Sequence, residues 1–120
     1  MPDYKQGLIY KVYSKDLTDI NIYIGSTCNL KKRVIKHKSD CNNINSCKYN
    51  KKLYCHIRNN KGLNNFIIKK IIDSPCNNNE ELRIIEQQYI NLYDSKLNDR
   101  RSYISDEDKK RNNKKYQNKY

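Results

Sequence analysis

The chain has 120 residues, enough for one domain and too few for two. Its 25 Lys and Arg outnumber 13 Asp and Glu, giving a formal charge of +12, while only 36% of the residues are hydrophobic. No apolar run approaches the roughly 18 residues of a membrane span, so a bilayer helix is excluded and nucleic acid is the expected polyanionic partner.

Leu8, Tyr10 and Val12 alternate with Ile9, Lys11 and Tyr13, the period of a strand. After a polar turn over 14–19, Ile20, Ile22 and Ile24 alternate with Asn21, Tyr23 and Gly25, predicting a second strand and an antiparallel hairpin. Thr27 or Asn29 can cap the helix that follows. That helix is expected to run to about Lys38, with Leu30 and Val34 on its buried stripe and Arg33 and His37 one turn apart beside it. The Asn-rich stretch 40–50 reads as a loop. A second helix fits 51–59, with Leu53, Tyr54 and Ile57 inward and Gly62 suited to its C-cap region. The apolar density of 66–72 suits a central or well-covered third strand. After a loop over 75–79, Glu80 and Glu81 open a third helix with Leu82, Ile85, Tyr89 and Leu92 on its inner face. The fold class is α/β (α+β): a small mixed or antiparallel three-stranded sheet flanked by helices.

Two units are expected, a globular domain over 1–102 and a basic arm over 103–120. The last twelve residues, KKRNNKKYQNKY, hold six basic side chains and almost nothing apolar, so the arm reads as disordered or weakly helical when free. Lys109, Lys110, Arg111, Lys114 and Lys115 there, with Lys31, Lys32 and Lys36 on the first helix, are candidate phosphate contacts. Tyr116 and Tyr120 are candidates for stacking on exposed bases. A solvated tail is the competing reading of the arm. Asn, Lys and Ile supply 52 residues and Ala none, a sign of AT-rich coding that accounts for part of the lysine excess.

Five cysteines, an odd number, with no apolar leader in Met1–Gly7, point to free thiols in a reducing, intracellular compartment, cytoplasm or nucleus. Cys41, Cys47, Cys55 and His56 lack the spacing of a structural zinc site. Glu86 is the odd residue of the third helix. A carboxylate at the edge of a buried stripe is costly unless paired, here with Arg83 or a nearby lysine, or bound to metal.

In order, Leu8-Ile9-Tyr10, Tyr23-Ile24-Gly25, Arg33, His37, Glu86 and Asn98 in KLND resemble the motifs of the GIY-YIG nuclease family across about residues 7–100. The segment KLYCHIRNNKGLNNF is similar to the connecting segment of small stand-alone members, many from large DNA viruses and mobile elements. The first triplet departs from the family's, with Gly7 one position early, and Asn91 competes with Asn98 for the family's Asn. The resemblance implies a DNA endonuclease with one divalent metal, Mg²⁺ or Mn²⁺, on Glu86. It implies Arg33 on the scissile phosphate, Tyr10 as general base with His37 or Tyr23 as its partner, and Asn98 orienting phosphate or a ligand water. Catalytic candidates are therefore Tyr10, Tyr23, Arg33, His37, Glu86 and Asn98. No obligate protein partner is evident. A catalytically inactive nucleic-acid-binding module with the same fold, and a small interaction protein, are the competing readings.

Overall fold

The computed structural model describes residues 3–98; the basic arm, with Lys109, Lys110, Arg111, Lys114 and Lys115, lies outside them. Among the described residues the order is β1 (Leu8–Ser14), β2 (Ile22–Thr27), α1 (Leu30–Asn42), α2 (Lys52–Asn59), β3 (Phe66–Asp73) and α3 (Asn79–Tyr93). The sheet order is β2-β1-β3, antiparallel throughout. It is an α+β fold.

Alternation in β1 sends neighbouring side chains to opposite faces. Tyr10 and Val12 enter one cluster with Cys41 of α1, Leu53, Tyr54 and Ile57 of α2, and Phe66 of β3. Ile9 enters the other with Ile24 of β2 and Leu82 of α3. The helices α1 and α2 therefore cover one face, and α3 lies along β2 and β1 on the other.

Four readings of the sequence are corrected. Apolar β3 is an edge strand and β1 is central, because Lys69 and Lys70 face solvent and blunt the free edge. Ile20 stands outside β2 and is 85% exposed. There, Asp16 and Asp19 accept hydrogen bonds from the backbone N–H of Thr18 and Asn21, which holds the connection as Asx turns rather than strand. Helix α1 continues to Asn42, and its fully buried positions are His37, Asp40 and Cys41; Leu30 packs against the same cluster but, like Val34, stays partly exposed. The face that matters is set by what α2 presents to it. Leu92 is 75% exposed, because the end of α3 turns Tyr89, Ile90 and Tyr93 to the core instead.

Caps define the helix starts. Asn29 Oδ1 accepts the Lys32 N–H at 3.1 Å, and Asn78 Oδ1 accepts the Glu81 N–H at 2.9 Å. Glu81 reaches back to the Asn77 N–H at 2.7 Å, a variant of the capping box. Arg58 joins α2 to the end of α1. It donates to the Cys41 carbonyl at 2.8 Å and the Tyr49 carbonyl at 2.7 Å, and stacks its guanidinium 3.6 Å from the Tyr49 ring centroid. Replacing Arg58 with Ala removes two charge-assisted bonds and strands their carbonyls. It is expected to cost about 2–3 kcal/mol, read as a lower urea midpoint with an unchanged m-value.

Candidate active site

Tyr10 is the buried centre of the site, 1% exposed in mid-sheet. The β1–β3 register shifts between Ile9 and Tyr10: Ile9 faces Ile72 but Tyr10 faces Lys70, which leaves Ile71 as the extra residue on β3. On the other side Tyr10 pairs with Gly25 of β2. A Cβ at Gly25 would sit 2.4 Å from Tyr10 Cζ and 2.5 Å from its hydroxyl oxygen. The ring therefore occupies the space that any other residue at 25 would fill, and the Gly of the second triplet is a steric requirement. Gly7 has a separate backbone role: a Cβ there would lie 2.7 Å from the Ser74 carbonyl oxygen, which the chain approaches closely.

The Tyr10 hydroxyl ends 2.7 Å from His37 Nε2. On the far side of the same imidazole, Nδ1 is 2.7 Å from the Tyr54 hydroxyl. Tyr23 closes the cage, with its ring centroid 5.9 Å from that of His37 in an edge-to-face arrangement and 6.3 Å from that of Tyr10. The Arg33–His37 spacing on α1 thus places a buried imidazole among three tyrosines, with a guanidinium one turn earlier.

Burial, then the positive field of Arg33, lowers the His37 pKa to about 4, so the imidazole is neutral at pH 7. Burial, the neighbouring Tyr23 and the charge of Glu86 push the Tyr10 pKa well above its ordinary value, with Arg33 opposing them. Tyr54 is raised too, first by burial and then by Tyr23 and Asp40, again against Arg33. The fields of Arg33 and Glu86 thus meet at Tyr10 although α1 and α3 pack on opposite faces.

Glu86 is partly exposed on α3, and among the described residues it has no ion pair with Arg83 or any lysine. No group of three His, Cys, Asp or Glu side chains converges as a metal cage among those residues. Asn98 sits on the edge of β2. Its Oδ1 accepts from the Ile24 N–H at 3.0 Å and its Nδ2 donates to the Ile24 carbonyl at 2.7 Å, while the Ser95 hydroxyl also donates to Oδ1. The amide thus holds the strand that carries Tyr23 and Gly25. Lys31, Lys32 and Lys36 are exposed on α1, with Lys36 3.5 Å from Asp40.

The family model of the GIY-YIG catalytic domain matches residues 6–98. The chain belongs to the GIY-YIG family. It is accordingly an endonuclease domain that hydrolyses phosphodiesters, with nucleic acid as its substrate. No curated protein and no solved structure matches the chain significantly. Among the described residues, no helix is long and apolar enough to cross a membrane. Within this GIY-YIG domain, contacts unite Tyr10, Tyr23 and His37, while Arg33 and Glu86 join them through their fields. Tyr54 is the member that sequence reasoning leaves in the core; its signal is a tyrosine on an inward face, whose hydroxyl needs a partner once buried.

Two outcomes are expected. Gly25→Ala forces the Tyr10 ring aside, costs about 1–3 kcal/mol of stability and abolishes cleavage; unfolding curves and a nicking assay check both. The second concerns pH. His37 is held at about 4 in the folded protein against an ordinary 6.5, so between those values the unfolded chain binds the extra proton. Stability is expected to fall by roughly 3 kcal/mol as pH drops from 6.5 to 4. Subtracting the urea-derived profile of His37→Gln from that of wild type isolates this loss. Asp16, Asp19 and Asp40, whose carboxyls folding holds below their ordinary range, act through a lower window.

Proposed function

We propose that this chain is a divalent-metal-dependent DNA endonuclease in which Tyr10 takes the proton of the attacking water, Arg33 holds the scissile phosphate and Glu86 carries the metal. The observation that supports it most is the 2.7 Å bond from Tyr10 to a neutral His37, set between the opposing fields of Arg33 and Glu86.

A phenol whose pKa is raised is a poor base if it must ionise first. Tyr10 avoids that step by exchanging protons. As water attacks phosphorus, its proton passes to Tyr10 Oη while the phenolic proton passes to His37 Nε2. The new P–O bond forms and the bond to the leaving 3′ oxygen breaks; the imidazolium holds the extra proton until it is released to solvent, and the 3′ oxygen takes a proton from solvent, which leaves the relay neutral again. No free phenolate forms in the buried site; the cost of burial falls instead on the imidazolium, as the lowered His37 pKa reflects. Arg33 offers planar, permanently charged donors to phosphate oxygens whose charge is growing. A bound phosphate in turn screens His37 from the Arg33 charge, which eases formation of the imidazolium.

The donor set fits a hard, hydrated cation. One partly exposed carboxylate, with no competing ion pair among the described residues, suits Mg²⁺ or Mn²⁺, which keep several waters and take phosphate oxygens as further ligands, and it does not suit a caged ion. Bound at Glu86, such an ion supplies Lewis-acid stabilisation of the leaving oxygen. Asn98 acts through β2, keeping Tyr23 and Gly25 in register. The net charge of +12 and exposed Lys31, Lys32 and Lys36 on the helix that carries Arg33 support a polyanionic substrate such as DNA. In this reading the basic segment with Lys109, Lys110, Arg111, Lys114 and Lys115 adds contacts that do not read sequence.

Supercoiled plasmid is expected to be nicked with Mg²⁺ or Mn²⁺ and left intact with EDTA. Glu86→Ala and Arg33→Ala are each expected to lower the rate about a hundredfold or more at unchanged urea midpoint. Wild-type rates in both purified variants would sink the assignment. Salt-dependent binding by wild type without nicking under any metal would leave the chain an inactive binding module.

A further inference from the structure

We infer that Tyr54 is a positioning residue of the proton relay: its oxygen accepts the hydrogen bond of His37 Nδ1–H and so holds the imidazole in the tautomer whose Nε2 can take the Tyr10 proton. The inference rests on the reading that Tyr10 and His37 move a proton.

A neutral imidazole has one donor and one acceptor nitrogen, so the partner of one nitrogen sets the role of the other. His37 has a phenol at 2.7 Å on each side, and the two contacts cannot be chosen independently. If Tyr54 donated to Nδ1, Nε2 would carry the proton and donate to Tyr10. Tyr10 would then have no acceptor for its own proton, and the relay would be closed. If Tyr54 accepts, Tyr10 donates to Nε2, and the lone pairs of its oxygen remain for the proton of the water.

The accepting arrangement also survives the reaction. The imidazolium formed at transfer donates from both nitrogens, Nε2–H back to Tyr10 and Nδ1–H still to Tyr54. Neither ring has to rotate. Rotation is also opposed by packing, because Tyr54 is 3% exposed on α2 in the cluster that holds Tyr10, Cys41 and Leu53, and its ring meets His37 edge-on at 5.8 Å. The groups facing His37 are Tyr10 of β1, Tyr23 of β2, Arg33 and Asp40 of α1, Lys48 and Lys51 before α2, and Tyr54 itself. Tyr54 is the partner placed within hydrogen-bond distance of Nδ1.

The test uses the full chain, in which His37 and His56 are the two histidines. Nitrogen-15 spectra at pH 7, assigned by difference with His37→Gln, are expected to show the His37 proton on Nδ1 with Nε2 bare. A proton on Nε2 overturns the inference, and this readout needs no variant of Tyr54 to fold. Tyr54→Phe keeps the ring and removes the acceptor. In Mg²⁺-dependent cleavage of a defined oligonucleotide duplex, its kcat is expected to fall about tenfold, the rate equivalent of one hydrogen bond, with KM unchanged and the Nδ1 proton preference lost. Wild-type kcat with the tautomer intact would overturn the positioning role. If His37→Gln itself cleaves at the wild-type rate, the relay falls and Tyr54 with it. If His37→Gln is impaired while Tyr54→Phe is not, only the role of Tyr54 falls.

Discussion

The rest of the site depends on one close approach: the Tyr10 ring lying against the bare Cα of Gly25. Tyr10 is anchored in the central strand, where a side chain ordinarily stands upright from the sheet and fills core. The missing Cβ on β2 gives the ring room to lean, so its hydroxyl reaches the imidazole on α1. A residue of the central strand thereby reaches the buried imidazole while remaining within a hydrophobic cluster.

Charge is divided across the sheet. Arg33 and His37 come from the helix on one face, and Glu86 from the helix that packs on the other along β2. Their fields oppose each other at Tyr10. The edge of β2 must therefore stay in place for the two helices to address the same atom. The segment after α3 closes that edge. The Ser95 hydroxyl and the Leu97 N–H bond to the Ile22 carbonyl, and the Asn98 amide bonds to both backbone groups of Ile24. This side-chain pairing protects a free strand edge and holds Tyr23 steady. Burial meanwhile keeps His37 neutral beside a permanent cation.

Much of this was legible in the chain itself. Period-two alternation in Leu8–Tyr13, the capping candidates before α1 and the first-turn carboxylates of α3 are local consequences of backbone geometry, and with the apolar patterns they placed three strands and three helices in the right order. The ordered set from Tyr10 to Asn98 identified the family, because each chemistry-bearing type stands at its expected place along the chain. Three of the four misreadings share one physical cause. Whether Leu30, Leu92 or the Phe66–Asp73 strand is buried depends on which surface another element presents, and hydrophobicity along one segment carries no record of its neighbour.

The sequence by itself therefore determined the elements, the family and the residue types available for phosphodiester chemistry, since these follow from spacing and side-chain identity. Only the tertiary structure decided which atoms meet. The Tyr10 hydroxyl chose His37 Nε2 because Gly25 leaves space for it, and Tyr54 reached Nδ1 because α2 packs against the face of α1 that carries His37 and Cys41. Asn98 became a strand clamp because the turn after α3 runs beside β2. Those contacts join residues 17 to 74 positions apart. At such separations the partner is set by packing, and no local pattern in the chain encodes it.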